Sequence, residues 1–435
     1  MNDPAIRATA PAYHPVIVVG GGQSGLSISY CLKQRGIDHL VFERHRVAHA
    51  WRAQRWNSFC LVTPNWQCKL PGFPYAGTDP HGFMLKDQIV EYVEAYAKSF
   101  APPLVEGVAV TSVRRAPSGL FQVTAATGEY TADQVVIAAG GYHLPTVPRM
   151  AERLPGEIVQ LHSADYRDAE SLPEGEVLVV GSGQSGCQIA EDLHLAGRRV
   201  HLSVGSAPRS PRRYRGKDVV DWLDEMGYYD MPIHEHPLKE RVRNKANHYL
   251  TGRDGGREID LRKLAREGMR LYGRLEDVRG GVLEFATDLK HNLDQADAVA
   301  ESIKTTIDKH IEKQGIDAPP REAYKPVWQP EREELAFDCA EAGIRVVIWC
   351  IGFRTDFSWI EVPVFDGRGY PGHRRGVTAA PGLYFLGLPW LYTWGSGRFS
   401  GVARDAEHVA ECIESLQKSP QLRSHQVLNE LALGS

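Results

Sequence analysis

Two glycine-rich turns carry the chemistry this sequence announces most clearly. Gly20, Gly22 and Gly25 fall on G-x-G-x-x-G, and so do Gly181, Gly183 and Gly186. Both turns contain the same tetrapeptide, Gly22-Gln23-Ser24-Gly25 and Gly183-Gln184-Ser185-Gly186. In this spacing the first glycine allows a tight turn out of a strand. The second lets backbone N–H groups approach a pyrophosphate, and the third lets the next helix pack closely on the strand. The phosphate then rests on a helix N-terminus, where free N–H groups and the helix dipole favour an anion. With 42 glycines in 435 residues, chance supplies roughly 0.4 copies of the bare pattern, so one match alone says little. The flanking elements raise its specificity.

Those elements are a buried strand before each turn and a helix after it. Val16-Ile17-Val18-Val19 is a continuous apolar run, as expected for a strand covered on both faces. A helix follows from about Ser24 to Arg35 and should stop at Gly36, and a strand at Leu40-Val41-Phe42 ends at Glu43. The second copy starts at Val177, has a helix stopping at Gly197, and a strand from about Val200 to Val204. The copies align without gaps at an offset of 161 residues, which implies two domains of one type.

The end of the second strand discriminates the nucleotides, because an acid there hydrogen-bonds a ribose 2′-OH. Glu43 occupies that place, 18 residues after Gly25, so the first site should take FAD or NAD. In the second copy Val204 stands there beside Ser203, and the chain continues with Arg209, Arg212, Arg213, Arg215 and Lys217. An acid removed and arginines supplied suit a 2′-phosphate, so the second site should prefer NADPH. Arg209 and Arg212 are the candidates, and spacing does not choose between them.

Composition sets the frame. The net charge is −4 and the pI near 6.5, which gives no basic field for nucleic acid or anionic lipid. No window approaches 18 uninterrupted apolar residues, so no membrane helix is expected. The first 15 residues lack an apolar signal core and read as a flexible lead-in, which makes a cytoplasmic location the default. Seven cysteines, at 31, 60, 68, 187, 339, 350 and 412, form no C-x-x-C, which argues against a disulfide framework, a zinc site or a dithiol redox centre. No metal site is expected.

Two further buried-type strands end in glycine, Ala132 to Gly140 and Ile344 to Gly352, and place linkers near 140–175 and 340–360. After Leu383 to Leu388, a strand containing Gly387, comes a loop rich in glycine and aromatics, then a helix from about Ser400 to Leu416 whose N-terminus is placed to face a bound flavin. Residues 218–335 differ in character. Leu289, Leu293, Ala296, Val299, Ile303, Ile307 and Ile311 form one apolar stripe, so this region reads as a helical insertion that caps a pocket, covers the sheet, or forms a dimer surface. The fold class is therefore α/β with two Rossmann-like dinucleotide-binding domains, for FAD and NADPH, the second inserted in the first. The expected boundaries are 1–170 plus 340–435 for the first domain and 171–339 for the second, with the insertion at about 218–335.

The chain resembles the class B flavoprotein monooxygenases, including flavin-containing monooxygenases and YUCCA-type enzymes, over roughly Val16 to Leu416. GGGQSG and GSGQSG resemble that family's FAD and NADPH fingerprints. The segment from Trp51 to Tyr75 is similar to the one that runs under the flavin, with Trp51 and Arg52 near the cofactor, following Glu43-Arg44. Val110 lies in a strand like the one that reads the FAD adenine. AAGGYHLPTVP, with Ala139 and Gly140, and WCIGFRTD are similar to two linker motifs. LPGEIVQLHSADYR resembles the fingerprint F-x-G-x-x-x-H-x-x-x-W/Y, with departures. Gly156 to His162 is two residues longer than usual, Leu154 opens it, and Tyr166 stands where Baeyer–Villiger enzymes carry Trp.

The resemblance implies a mechanism. NADPH would reduce FAD, reduced flavin and O2 would give a C4a-(hydro)peroxyflavin, and one oxygen atom would pass to a small substrate at nitrogen or sulfur. Asn65 is the candidate side chain for the flavin C4a–N5 edge, since an amide both donates and accepts. His162 would orient the linker or touch NADP⁺, and His291 and His310 should face solvent. The alternatives are an NAD(P)H-dependent flavin oxidoreductase or oxidase that oxygenates nothing, and a flavin-bound regulatory protein. The intact second glycine turn argues against the last. Oligomeric state stays open, a homodimer being common at this size.

Overall fold

The computed structural model describes residues 11–419. Most of the expected lead-in, residues 1–10, lies outside them. Its last residues are not a lead-in, because Ala12 already begins the first strand.

The first domain opens with β1 (Ala12–Val19), α1 (Gln23–Gln34) and β2 (Leu40–Glu43). Helix α2 (Lys86–Phe100), β3 (Leu104–Glu106), β4 (Val110–Arg115), β5 (Phe121–Ala125) and β6 (Gly128–Ile137) follow. The second domain contains β7 (Val159–His162), β8 (Glu176–Val180), α3 (Gln184–Leu195) and β9 (Val200–Ser203). It continues through α4 (Val219–Glu225), β10 (Arg270–Tyr272), α5 (Leu289–Gln314) and β11 (Ile344–Trp349). The chain then returns to the first domain as β12 (His373–Arg374), β13 (Val377–Thr378), β14 (Leu383–Phe385) and α6 (Val402–Gln417).

The first sheet runs β12-β13-β14-β6-β1-β2-β3, with the β4–β5 hairpin attached to β6. Its centre is parallel, with Val18 opposite both Val41 and Val136. Val16, Ile17 and Val18 are wholly buried, as the apolar run predicts for a strand covered on both faces. The second sheet, β7-β11-β8-β9-β10, is entirely parallel. Both helices that follow the glycine turns end as expected, with Gly36 and Gly197 in the left-handed region at φ +65° and +79° just past the last turn.

Two organisational expectations change. β7 and β11 both belong to the second sheet, so that domain reaches beyond 171–339 at each end. A backbone partner beyond the expected boundary cannot be read from one strand's own pattern. Residues 218–335 are also less purely helical than expected. They contribute β10 to the sheet, and Leu275–Arg279 and Val282–Phe285 form an antiparallel sheet with Ala336–Asp338. Helix α5 covers the second domain's core: Leu289 and Leu293 pack with the sheet, while Ile307 and Ile311 pack against Trp222. The buried stripe passes through Ala300, with Val299 only half-buried.

Where the chain leaves the first domain and where it returns, the crossings pair with each other. Leu144–Pro145 lies antiparallel to Phe353–Arg354, and Thr146 N–H donates to the Gly352 carbonyl at 3.0 Å. His162 braces this hinge. Its Nδ1 accepts from Ala164 N–H at 3.2 Å, so Nε2 carries the proton and donates to the Gly352 carbonyl at 3.0 Å. Burial holds the imidazole's pKa below its usual value, consistent with this neutral form. His162 thus orients the linker. His291 is exposed, whereas His310 is half-buried, edge-on to Trp222.

Among the described residues no helix is long and apolar enough to cross a membrane. All seven cysteines are free, six of them buried.

Candidate functional site

A cavity of about 1090 Å³ runs between the domains. That is at the top of the range for sites that bury a small-molecule ligand or cofactor. Gly20, Gly22, Gln23 and Ser24 line it at the first glycine turn, and Gln184 lines it at the second.

The local geometry explains the glycines. A Cβ on Gly25 would lie 1.7 Å from the Gly20 carbonyl oxygen, and one on Gly186 would lie 1.8 Å from that of Gly181. Each third glycine therefore lets its helix sit against its strand. A Cβ on Gly22 or Gly183 would meet nothing within 4 Å, which leaves the turn open for an approaching phosphate. Ser185 lies in the first turn of α3, outside the cavity wall.

Glu43 is held at the end of β2. One carboxylate oxygen accepts from Gly21 N–H at 2.7 Å and the other from His45 N–H at 2.8 Å. The clamped carboxylate still borders the cavity, as do Arg44, Trp51 and Val110. Ala139 and Gly140 follow β6 into the same wall, and Gly387 closes it beside Ser24. A side chain at position 387 would strike the Ser24 hydroxyl at 2.3 Å. Gln23 Nε2 donates to the Gly397 carbonyl at 3.0 Å, tying the first turn to the loop before α6. That loop enters the wall through Arg398, Phe399 and Ser400, so the α6 N-terminus does open towards the cavity. These residues suit an FAD, for which the N-terminus of α1 would take the pyrophosphate and Glu43 the ribose.

Five sequence expectations are corrected. Arg209 is 1% exposed and paired with Glu258 at 2.5 Å and Asp297 at 2.9 Å, over the ring of Tyr324. Arg212 is equally buried, paired with Asp218 and bonded to the Val62 carbonyl at 2.7 Å. Both guanidiniums are neutralised inside the protein, so neither is offered to a 2′-phosphate. Basic residues in a run look alike in sequence, and only the fold supplies their acidic partners. Ser203 is also occupied, donating to the Gly273 carbonyl and accepting from Leu275 N–H at 2.9 Å. Arg52 is outside the cavity wall and pairs with Glu94 at 2.5 Å. Asn65 donates to the Asp79 carbonyl at 2.9 Å and accepts from Met84 N–H at 2.7 Å. It staples its own loop and does not line the cavity.

Sequence reasoning missed the far wall. Val219, Val220 and Leu223 of α4 line it with Tyr228, Tyr229 and Trp394. Tyr229 and Trp394 pack with ring centroids 4.6 Å apart. Trp66 Nε1 donates to Asp221 at 2.9 Å, fastening α4 onto the first domain. The only sequence signal was the density of aromatic residues in the loop before α6. Behind that loop, Asp405 is buried on α6, and burial raises its pKa to about 6.

The domains also touch through Asp192 on α3. It accepts from Ser58 at 2.5 Å, from the buried Tyr166 hydroxyl at 2.6 Å, and pairs with Arg253 at 2.6 Å. Tyr166 is therefore part of the interdomain contact.

Comparison with known proteins places this geometry. Residues 17–253 match the pyridine nucleotide-disulphide oxidoreductase family. The chain is 34% identical over 398 residues to an uncharacterized CzcO-like oxidoreductase of Geobacillus kaustophilus, covering 91% of this chain and 96% of that protein. It is 32% identical over 199 residues to the indole-3-pyruvate monooxygenase YUCCA6 of Arabidopsis thaliana, covering 44% of this chain and 48% of that one. A flavin-containing monooxygenase from Stenotrophomonas maltophilia has the same fold, with a TM-score of 0.63 at 19% identity, over 93% of this chain and 99% of that one.

Proposed function

Given that the chain belongs to the pyridine nucleotide-disulphide oxidoreductase family, with a class B flavoprotein monooxygenase-like character, we propose that it is an FAD- and NADPH-dependent monooxygenase. It transfers one atom of O2 to a small substrate, at nitrogen or sulfur. The observation that carries this reading is a single cavity entered by both glycine turns, through Gly22 to Ser24 and through Gln184. Two dinucleotides bound there would meet in one chamber.

The flavin, when bound, supplies electron transfer from NADPH and the activation of O2. The chain supplies the rest. The N-termini of α1 and α3 would hold the pyrophosphates, and Glu43 would hold the ribose on the first side. The hinge at Leu144–Pro145 and Phe353–Arg354 fixes the approach of one site to the other. The aromatic wall of Tyr228, Tyr229 and Trp394 excludes water from the reacting end. Disulfide reduction, the activity in the family's description, needs a redox cysteine pair, and no cysteine lines this cavity. A 2′-phosphate would be read by a residue other than Arg209 or Arg212.

The test is NADPH consumption by the FAD-loaded protein over a panel of amines and thioethers under labelled dioxygen. Oxygenation at nitrogen or sulfur predicts one labelled atom in the product, with NADPH consumed in step. Hydrogen peroxide as the only product across the panel would favour an oxidase.

A further inference from the structure

Asp405 is a buried carboxylate that does not itself line the cavity. It stands in the first turn of α6 and is 1% exposed. Among the described residues neither of its oxygens accepts a hydrogen bond in full bonding geometry. The Nε of Arg375, 3.8 Å away, is likewise buried without an acceptor. A carboxylate buried with its pairing this incomplete destabilises the fold, and an amide or apolar side chain would avoid that. Packing alone therefore does not explain an acid here.

Its neighbours join it to the back of the loop between β14 and α6. Ser396 Oγ accepts from Tyr392 N–H at 3.0 Å and from Thr393 N–H at 3.1 Å. Those bonds use the hydroxyl's lone pairs and leave its proton to be given, and Asp405 is the acid it faces. Arg375 comes from the β12–β13 turn, where it is held in the left-handed region at φ +49°. Its guanidinium lies 4.2 Å from the centre of the Tyr392 ring and donates to the Arg404 carbonyl at 3.2 Å. On α6 itself, Arg404 turns outward to Asp230, and His408, one turn on, is opposed by Arg375. The front of the same loop is cavity wall, through Trp394, Gly397, Arg398 and Phe399. The Gly397 carbonyl is the acceptor for Gln23 of the first glycine turn.

Burial raises the Asp405 pKa to about 6, against Ser396, Arg375 and Arg404, which favour the charge. The carboxylate is therefore charged at neutral pH and becomes neutral in mild acid. When charged, it can accept from Ser396 Oγ–H and Arg375 Nε–H together and draw both towards α6. When neutral, it has a proton of its own to place, and Ser396 already accepts twice.

We propose that Asp405 is a positioning residue for the flavin site: its charged carboxylate gathers Ser396 and Arg375, holds loop 392–400 against the first glycine turn, and lets that loop go on protonation. This rests on the turn and the loop forming an FAD site, and not on the transfer of oxygen.

The test is FAD release on dilution of the holoprotein, read as recovery of flavin fluorescence and repeated between about pH 5 and pH 8. Affinity of the unmodified protein should fall about tenfold as the pH drops through about 6, the loss of one hydrogen bond to a charged group. Asp405→Asn, a neutral group of the same shape, should show no step and should match, at every pH, the unmodified protein at its acid limit. Arg375→Gln removes a cation that favours the carboxylate, so its step should move to higher pH. That variant also covers the case in which Asp405→Asn does not fold, and a step that stays in place there overturns the proposal. So does a flat profile in the unmodified protein. A step that survives in Asp405→Asn overturns it as well, and would belong to a histidine of the cavity wall such as His45 or His49. An Asp405→Asn variant that binds FAD far more weakly than the unmodified protein at its acid limit would make the carboxylate a packing group only. Failure of the unmodified protein to retain FAD at any pH would defeat the cofactor reading itself, and this proposal with it.

Discussion

At the scale of single residues, the same side-chain type stands in opposite surroundings in two places. Arg212 is buried, meets Asp218, and sits over the ring of Phe83 at 4.5 Å. Arg398 lines the cavity, and among the described residues no carboxylate lies within ion-pair distance of it. Removing one partner of a buried pair leaves the other charge stranded, at a cost of about 3–5 kcal/mol. Arg212→Gln should therefore lower stability by that order in chemical denaturation, yet leave the ratio of KM for NADPH to KM for NADH within about twofold. A stable variant with a collapsed NADPH preference would return Arg212 to the nucleotide site. The sequence could not separate these cases. Arg209 and Arg212 stand out in the sequence because they follow a strand that lacks an acid, and their partners, Glu258, Asp297 and Asp218, are brought to them only by the fold. Asn65 misled for a related reason: its bonds to Asp79 and Met84 are made by a loop whose shape no periodicity encodes.

At the scale of elements the sequence was far more legible. An apolar strand, a glycine turn, a helix and a C′ glycine are each set by local sterics, so both turns and the helices after them lie where expected, although β1 begins at Ala12, earlier than the apolar run from Val16. Glu43 was readable because its position is fixed by counting from the turn. The aromatic wall was not, since α4 and the loop before α6 are about 170 residues apart in sequence and meet only through the hinge. The two glycine turns can be tested separately. Gly186→Ala drives a methyl to within 1.8 Å of the Gly181 carbonyl and must push α3 off its strand. The variant should purify with FAD bound, because the first turn is intact. Its flavin should be reduced by NADPH at least about a hundredfold more slowly, the size of effect a displacement near 1 Å produces. Loss of FAD instead would mean that the second turn supports the first site.

At the scale of the whole molecule, a mixed sheet with a parallel centre and an all-parallel sheet are joined through a hinge, and the cavity between the two domains borders both glycine turns and an aromatic wall. This plan is legible in the internal repeat but its seams are not, because β7 and β11 serve the second sheet from beyond the expected boundaries. Two dinucleotides acting in sequence within one chamber closed to water leave a kinetic signature, read by reducing the FAD-loaded protein with NADPH under anaerobic conditions in a stopped-flow instrument, then mixing it with oxygenated buffer. An absorbing species distinct from both oxidised and reduced flavin should form, persist while NADP⁺ stays bound, and decay faster when a substrate is added. Direct return to oxidised flavin with stoichiometric hydrogen peroxide, unchanged by NADP⁺ and by every substrate tried, would contradict it.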